Sequence, residues 1–214
     1  DSLRFEALKA AANADLIVFI GGHNKHPNQD CESFDRLGSK APYRQDELLM
    51  ELLKAKVPLV LVTMGANQFD FPFAKKIPAM VHAWYGGSES GTALAQVLFG
   101  EVNPSGKLPV TFYRHLEDCG AIAIGEYPGD GKNVRYNEDL FVGYRYVDKF
   151  KVEPQFHFGH GLSYTKFHYG KPTVDNMKIQ DGDTINITVP ITNTGNRSGK
   201  EVVQLYVHDE KASV

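Results

Sequence analysis

Three short apolar runs constrain this chain most. "DLIVFIGG", "PLVLVTMG" and "AMVHAWYGG" begin at residues 15, 58 and 79, and each reaches a glycine. Short continuous apolar runs bounded by turn residues read as buried strands. Amphipathic segments accompany them. A helix over "SLRFEALKAAANA" places Phe5, Leu8 and Ala12 on one face. In "YRQDELLMELLKAK", Leu48, Leu49, Leu52 and Leu53 form an apolar stripe. "GTALAQVLFG" turns Leu94, Val97 and Leu98 inward, and Gly100 is its expected stop. Helices between buried strands imply parallel crossovers, hence an α/β fold built as a three-layer α/β/α sandwich with a mostly parallel sheet. Ligands usually meet such sheets at the carboxyl ends of the strands. The loops starting at Gly21, Gly65 and Gly86 lie there.

The pattern then changes twice, which divides the chain into three expected parts. Residues 1–122 form the α/β sandwich. Residues 123–170 are rich in Gly, Tyr and Phe and show little periodicity. So long a connection is uncommon in a compact domain unless it is functional or disordered, and its aromatic content argues against disorder. It reads as an ordered excursion packed on another surface. In residues 171–214, "DTINITVPITNTG" places Ile185, Ile187, Val189 and Ile191 on one face. "NTGNRSGK" carries turn chemistry, and "EVVQLYVHD" alternates as a second strand. This last part is too short to close a sandwich of about 100 residues. An incomplete β-sandwich is the expectation.

Composition excludes several functions. With 42% hydrophobic and 23% charged residues the chain can build a sizeable core. A formal charge of −3 offers no basic field for nucleic acid. No apolar stretch approaches the roughly 18 residues of a membrane helix, so no membrane partner is expected. The start, "DSLRFEALKAA", does not read as a signal peptide, and Asp1 is not an initiator Met. A processed product or a piece of a longer chain is expected. Cys31 and Cys119 allow at most one disulfide and lack zinc spacing. No H-E-x-x-H, G-x-G-x-x-G or P-loop occurs, so neither a metal site nor a nucleotide site is expected.

Three stretches carry chemistry. In "VRYNEDLFVGYRYVD", Glu138 and Asp139 sit among Tyr136, Phe141, Tyr144 and Tyr146. A general acid working near neutral pH needs a raised pKa, which apolar walls supply by desolvation. Aromatic rings also suit the C–H faces of sugars. The competing reading is a solvated carboxylate paired with Arg135 or Arg145, and the residues alone leave both open. "CESFDR" follows the first strand, where Arg36 could hold a carboxylate or a ligand hydroxyl. Glu32, Asp35 and Arg36 could equally brace a long loop. "WYGGSESG" resembles the elbow of serine hydrolases, but that motif needs serine where Glu89 stands. Its glycines read instead as a close strand-to-helix turn, with Trp84 packed near the strand end.

Taken in order, "ADLIVFIGG", "ESFDR", "AWYGGSESGTALAQVLFGEVNPSGKLPVTF", "YNEDLFVGYRYVD", "FGHGLSYTKF" and "NTGNRSGKEVVQLYV" resemble glycoside hydrolase family 3, the β-glucosidase and β-xylosidase family. The resemblance covers almost the whole chain. It implies an N-terminal (β/α)8-type barrel that carries an aspartate nucleophile, then an α/β sandwich, then often a fibronectin type III-like domain. This chain looks like the second part and the start of the third. No segment resembles the nucleophile motif, so the chain alone is expected to be inactive.

The resemblance also implies retaining hydrolysis by two carboxylates, whose carboxyl groups stand about 5–5.5 Å apart. Glu138 matches the family's acid/base, just before the "FVGYR"-like segment. Tyr136 and Phe141 would then help define the pocket, and Asp139 would point the other way. Asp35 and Arg36 match a loop that approaches the sugar. Ser33, Gly86 and His157 depart from the common pattern, leaving substrate preference and loop geometry open. The implied activity is an exo-acting β-glucosidase releasing terminal β-linked glucose from oligosaccharides or glycosides, with no cofactor. β-Xylosidase activity and a noncatalytic carbohydrate-binding or structural module are the alternatives. Secretion or periplasmic export is the expected localisation of a glycan-degrading enzyme.

Overall fold

The computed structural model describes residues 2–26, 30, 38–70 and 73–211. They fall into two units, one within Asp1–Gly91 and Leu108–Gly159, the other within Thr92–Lys107 and His160–Ala212. In the first unit, helix α1 (Ser2–Ala12) leads into strand β1 (Ile17–Gly22). Helix α2 (Gln45–Leu52) precedes β2 (Leu59–Met64), and β3 (Ala79–His82) follows. The three strands form a parallel sheet in the order β1-β2-β3. Ile17 pairs with Leu59, and Val60 with Ala79. All three apolar runs are therefore parallel strands, and the loops after Gly22, Met64 and His82 share one end of the sheet.

Alternation sorts the sheet into two faces. Ile17, Phe19, Leu59, Leu61 and Met80 face the core shared with Leu49 and Leu52 of α2. Leu49, Leu59 and Leu61 are buried to within 2%. Each such side chain contributes about 1.5–3 kcal/mol relative to exposure. The other face behaves differently. Val62 is fully buried, but Val18 and Ile20 are 45% and 57% exposed. β1, which lies at the edge of the sheet among the described residues, therefore has one open face and is not buried on both. Continuous hydrophobicity cannot distinguish an edge strand from a central one, because covering depends on neighbours distant in sequence.

Helix α1 also differs from expectation. Phe5 is 69% exposed and Ala12 is exposed, whereas Leu8 and Ala11 face the core. The inward stripe is Arg4, Ala7, Leu8 and Ala11, rotated by about one residue. Arg4 decides this: its guanidinium donates to Glu51 at 2.9 Å and to Glu47 at 3.3 Å on α2. That pairing holds the Arg4 pKa above its ordinary value. Hydrogen bonding from Arg44, then from Arg4, holds Glu47 down at about 2.

Residues 113–159 are more regular than their sequence suggests. They contain a 3₁₀ turn (Leu116–Asp118) and the short helices α4 (Gly120–Ala123) and α5 (Tyr144–Phe150). Gly120 lets Tyr146 approach: a Cβ there would stand 2.9 Å from the ring.

Most of α3 (Ser90–Leu98) belongs to the second unit, and Gly100, whose φ of +77° suits glycine as a helix stop, follows its end. The run "NPSGKLP" then acts as a staple. Asn103 Oδ1 accepts from Ser163 Oγ at 3.1 Å and from the Tyr164 amide at 2.7 Å. Lys107 Nζ donates to Gly161 O at 2.7 Å and pairs with Glu201 at 3.4 Å. The β-rich part forms two antiparallel ribbons. Strand β4 (Phe167–Tyr169) pairs with β7 (Ile191–Asn193), and β5 (Thr173–Val174) with β6 (Ile187–Thr188).

Two strand expectations change here. The run 183–195 is not one strand: it breaks at Val189–Pro190, where proline offers no N–H. "EVVQLYVHD" forms no strand, and Val207 is 90% exposed. Alternation without a hydrogen-bonding neighbour does not make a ladder. No helix among the described residues is long and apolar enough to cross a membrane.

Candidate active site

The carboxyl ends of the three strands gather an aromatic and histidine cluster in the first unit. Thr63 ends the inward face of β2, and His82 is its partner on β3. Thr63 Oγ1 lies 2.8 Å from His82 Nδ1. The His82 ring meets Trp84 edge-on at 4.3 Å and Phe112 at 5.2 Å. His23 stacks on Phe69 at 4.4 Å. Trp84 is partly buried and adopts φ +54°, a left-handed conformation costly for a bulky residue. The glycine turn after it is tight, as expected: a Cβ on Gly86 would fall 2.2 Å from Ser90 Cβ. The scattered histidines of the sequence gave no sign of this cluster. Period-two alternation along β3 could have placed His82 beside Met80, on the Thr63 face.

Burial lowers the His82 pKa to about 4. The unfolded chain then binds a proton near pH 6.5 that the folded chain refuses until about pH 4. This histidine therefore costs stability as pH falls through that window, and adds nothing below it. The expected loss is about 2–3 kcal/mol, the lower figure allowing for solvent screening. Urea unfolding at pH 7 and pH 4.5 checks this. His82→Gln should flatten the difference, and an unchanged difference would remove His82 from the account.

Glu138 lies in a turn over residues 137–140 rather than in an extended segment. The Asp139 amide donates to Tyr136 O at 3.0 Å, and the Phe141 amide to Glu138 O at 2.9 Å. Asp139 takes φ +51° and is exposed. Contacts on both sides hold the turn. Asn137 Nδ2 donates to Glu126 Oε1 on one side. On the other, Phe141 meets Phe150 of α5 edge-on at 5.8 Å, and α5 buries Tyr146 and Val147. Lys149 Nζ sits 5.1 Å from the Phe141 ring centre.

The Glu138 side chain is half-buried, and its Oε2 is buried without a hydrogen-bond partner among the described residues. No ion pair joins it to Arg135 or Arg145 among those residues. Arg145 lies instead over the Tyr144 ring at 5.9 Å. Tyr136 is 76% exposed. Tyr136, Glu138 and Phe141 thus sit on or beside one turn, linked there by backbone hydrogen bonds. Asp35 and Arg36, with Glu32 and Cys31, lie outside the described residues.

Residues 1–164 match the glycosyl hydrolase family 3 C-terminal domain, and the chain belongs to that family. A β-glucosidase of Bacteroides ovatus is 48% identical over 216 residues, covering 100% of this chain and 29% of its own length. The thermostable β-glucosidase B of Acetivibrio thermocellus is 42% identical, covering 98% of this chain and 27% of its own. Among solved structures, a β-glucosidase of Streptomyces venezuelae in complex with D-glucose superposes with a TM-score of 0.84 at 33% identity. That likeness covers 93% of this chain and 25% of the other. The chain therefore spans less than a third of the length of these relatives.

Proposed function

We propose that this chain is part of a retaining exo-β-glycosidase, a β-glucosidase, to which it supplies the general acid/base Glu138. The observation that carries the assignment is the buried Glu138 Oε2, engaged by no donor among the described residues. A general acid must offer one carboxyl oxygen to the leaving group, so a carboxylate consumed by an arginine would serve badly. The relatives named β-glucosidases support the sugar class. In the first step Glu138 protonates the leaving glycosidic oxygen while a nucleophilic carboxylate attacks the anomeric carbon. In the second, Glu138 takes a proton from the water that releases the sugar. The nucleophile belongs to an N-terminal (β/α)8-type barrel joined to this chain. Asp35, Arg36, Tyr136 and Phe141 shape the pocket where the two parts meet.

The direct test is hydrolysis of aryl β-D-glucosides and β-D-xylosides by the longer enzyme, with the 214-residue chain as control. Glucoside turnover by the longer enzyme alone is the expected result. Preference for the xyloside would replace the glucosidase reading, and no turnover of either would leave a noncatalytic module.

A further inference from the structure

We infer that Asp30 is a positioning residue for sugar binding, because its carboxylate joins three loops at the carboxyl end of the parallel sheet. The inference rests on the glycosidase reading above. Asp30 lies on the connection between β1 and α2. Its Oδ2 accepts the Ala66 amide at 2.7 Å, from the loop after β2. The same oxygen accepts the Tyr85 hydroxyl at 3.0 Å, from the loop after β3. Hydrogen bonds to an ionised carboxylate are stronger than neutral ones. One side chain thus ties together the three loops that a parallel sheet presents to a ligand.

Other contacts hold the ends of the β1–α2 connection, and Asp30 adds a contact between them. At its base, Gln45 grips both backbone polar groups of Gly22: Oε1 accepts the amide at 2.7 Å and Nε2 donates to the carbonyl at 2.9 Å. Further along, Ser39 O accepts the Asp70 amide at 2.9 Å. Asp35 and Arg36 follow Asp30 closely in the chain. Tyr85 follows Trp84, whose positive φ needs support from its surroundings. Its hydroxyl anchor on Asp30 supplies some of that support. Small displacements of positioning groups can cost large factors in substrate use.

Two measurements test this. In the 214-residue chain, Trp84 is the only tryptophan, so its emission reports this loop junction. Asp30→Ala should increase acrylamide quenching of Trp84, whereas Asp30→Asn, which keeps an accepting oxygen, should not. In the longer enzyme, Asp30→Ala should raise KM for a β-glucoside roughly tenfold, the worth of one charge-assisted hydrogen bond. There kcat should change less than about threefold, and Asp30→Asn, whose amide oxygen accepts the same bonds without the charge, should recover most of the loss in KM. Tyr85→Phe removes the hydroxyl bond to Asp30 and leaves the Ala66 bond in place, so it should give a smaller rise in KM, which keeps the test available if Asp30→Ala fails to fold. Unchanged quenching, or unchanged KM in both Asp30→Ala and Tyr85→Phe, overturns the inference. An Asp30→Asn enzyme as impaired as Asp30→Ala also overturns it, because the charge would then act on the ligand itself. A wild-type enzyme that cleaves no β-glycoside sinks the functional reading, and with it this role for Asp30.

Discussion

Glu138→Ala in the longer enzyme is expected to slow hydrolysis of unactivated β-glucosides roughly 100- to 10,000-fold, the usual contribution of general acid–base catalysis. The loss should depend on the leaving group. An alkoxide leaves poorly unless protonated as the bond breaks, so disaccharides should suffer most. A dinitrophenolate needs little protonation, so formation of the glycosyl-enzyme from its glycoside should be nearly unaffected. Breakdown of that intermediate still needs a base to activate water, and should become limiting. Added azide is already anionic, needs no base, and can enter the space left by the carboxylate. It should restore turnover of the activated substrate and yield a β-glucosyl azide. Glu138 is half-buried and takes part in no ion pair among the described residues, so the variant should fold as the wild type does. Equal losses on activated and unactivated substrates, without azide rescue, would make Glu138 a structural residue.

Gly22→Ala should be the most damaging single-methyl change in the first unit. Gly22 ends β1 with φ +146°, outside the range that side chains readily accept. A Cβ there would stand 1.9 Å from Met64 O and 2.7 Å from Met64 N. Both are backbone atoms of the neighbouring strand, so no rotamer change relieves the clash. The backbone must move, and the movement breaks the Gln45 clamp on Gly22 together with the bond from the His23 amide to Met64 O. A cost above about 4 kcal/mol is expected, in the range reserved for strain combined with broken hydrogen bonds. Gly87→Ala is the control: nothing lies within 4 Å of its added Cβ. It should shift stability by no more than about 0.5 kcal/mol. Urea unfolding followed by circular dichroism compares the two. Similar midpoints would show that the end of β1 yields easily.

The candidate site was legible only in part. The aromatic run pointed to Glu138, but the run itself could not decide whether Arg135 or Arg145 would neutralise it. The turn decides that by docking Phe141 on α5, with Arg145 drawn over Tyr144. The histidine cluster was hidden because Thr63, His82 and Phe112 come from three separate segments. Asp30 was hidden for the same reason. Its partners Ala66 and Tyr85 follow different strands.

The chain's local order was set by the sequence itself. Three apolar runs ending in glycine became parallel strands, the leucine stripe of α2 entered the core, and Gly100 stopped α3. Those outcomes depend on residues within a few positions of one another, so periodicity and glycine stereochemistry suffice. Tertiary structure alone decided that Arg4 rather than Phe5 turns toward α2, that β1 keeps one face open, and that residues 201–209 make no strand. Each of these depends on a partner far away in sequence: a carboxylate, a covering layer or a neighbouring strand. Period and propensity describe what a segment can offer, and only the folded chain determines what it meets.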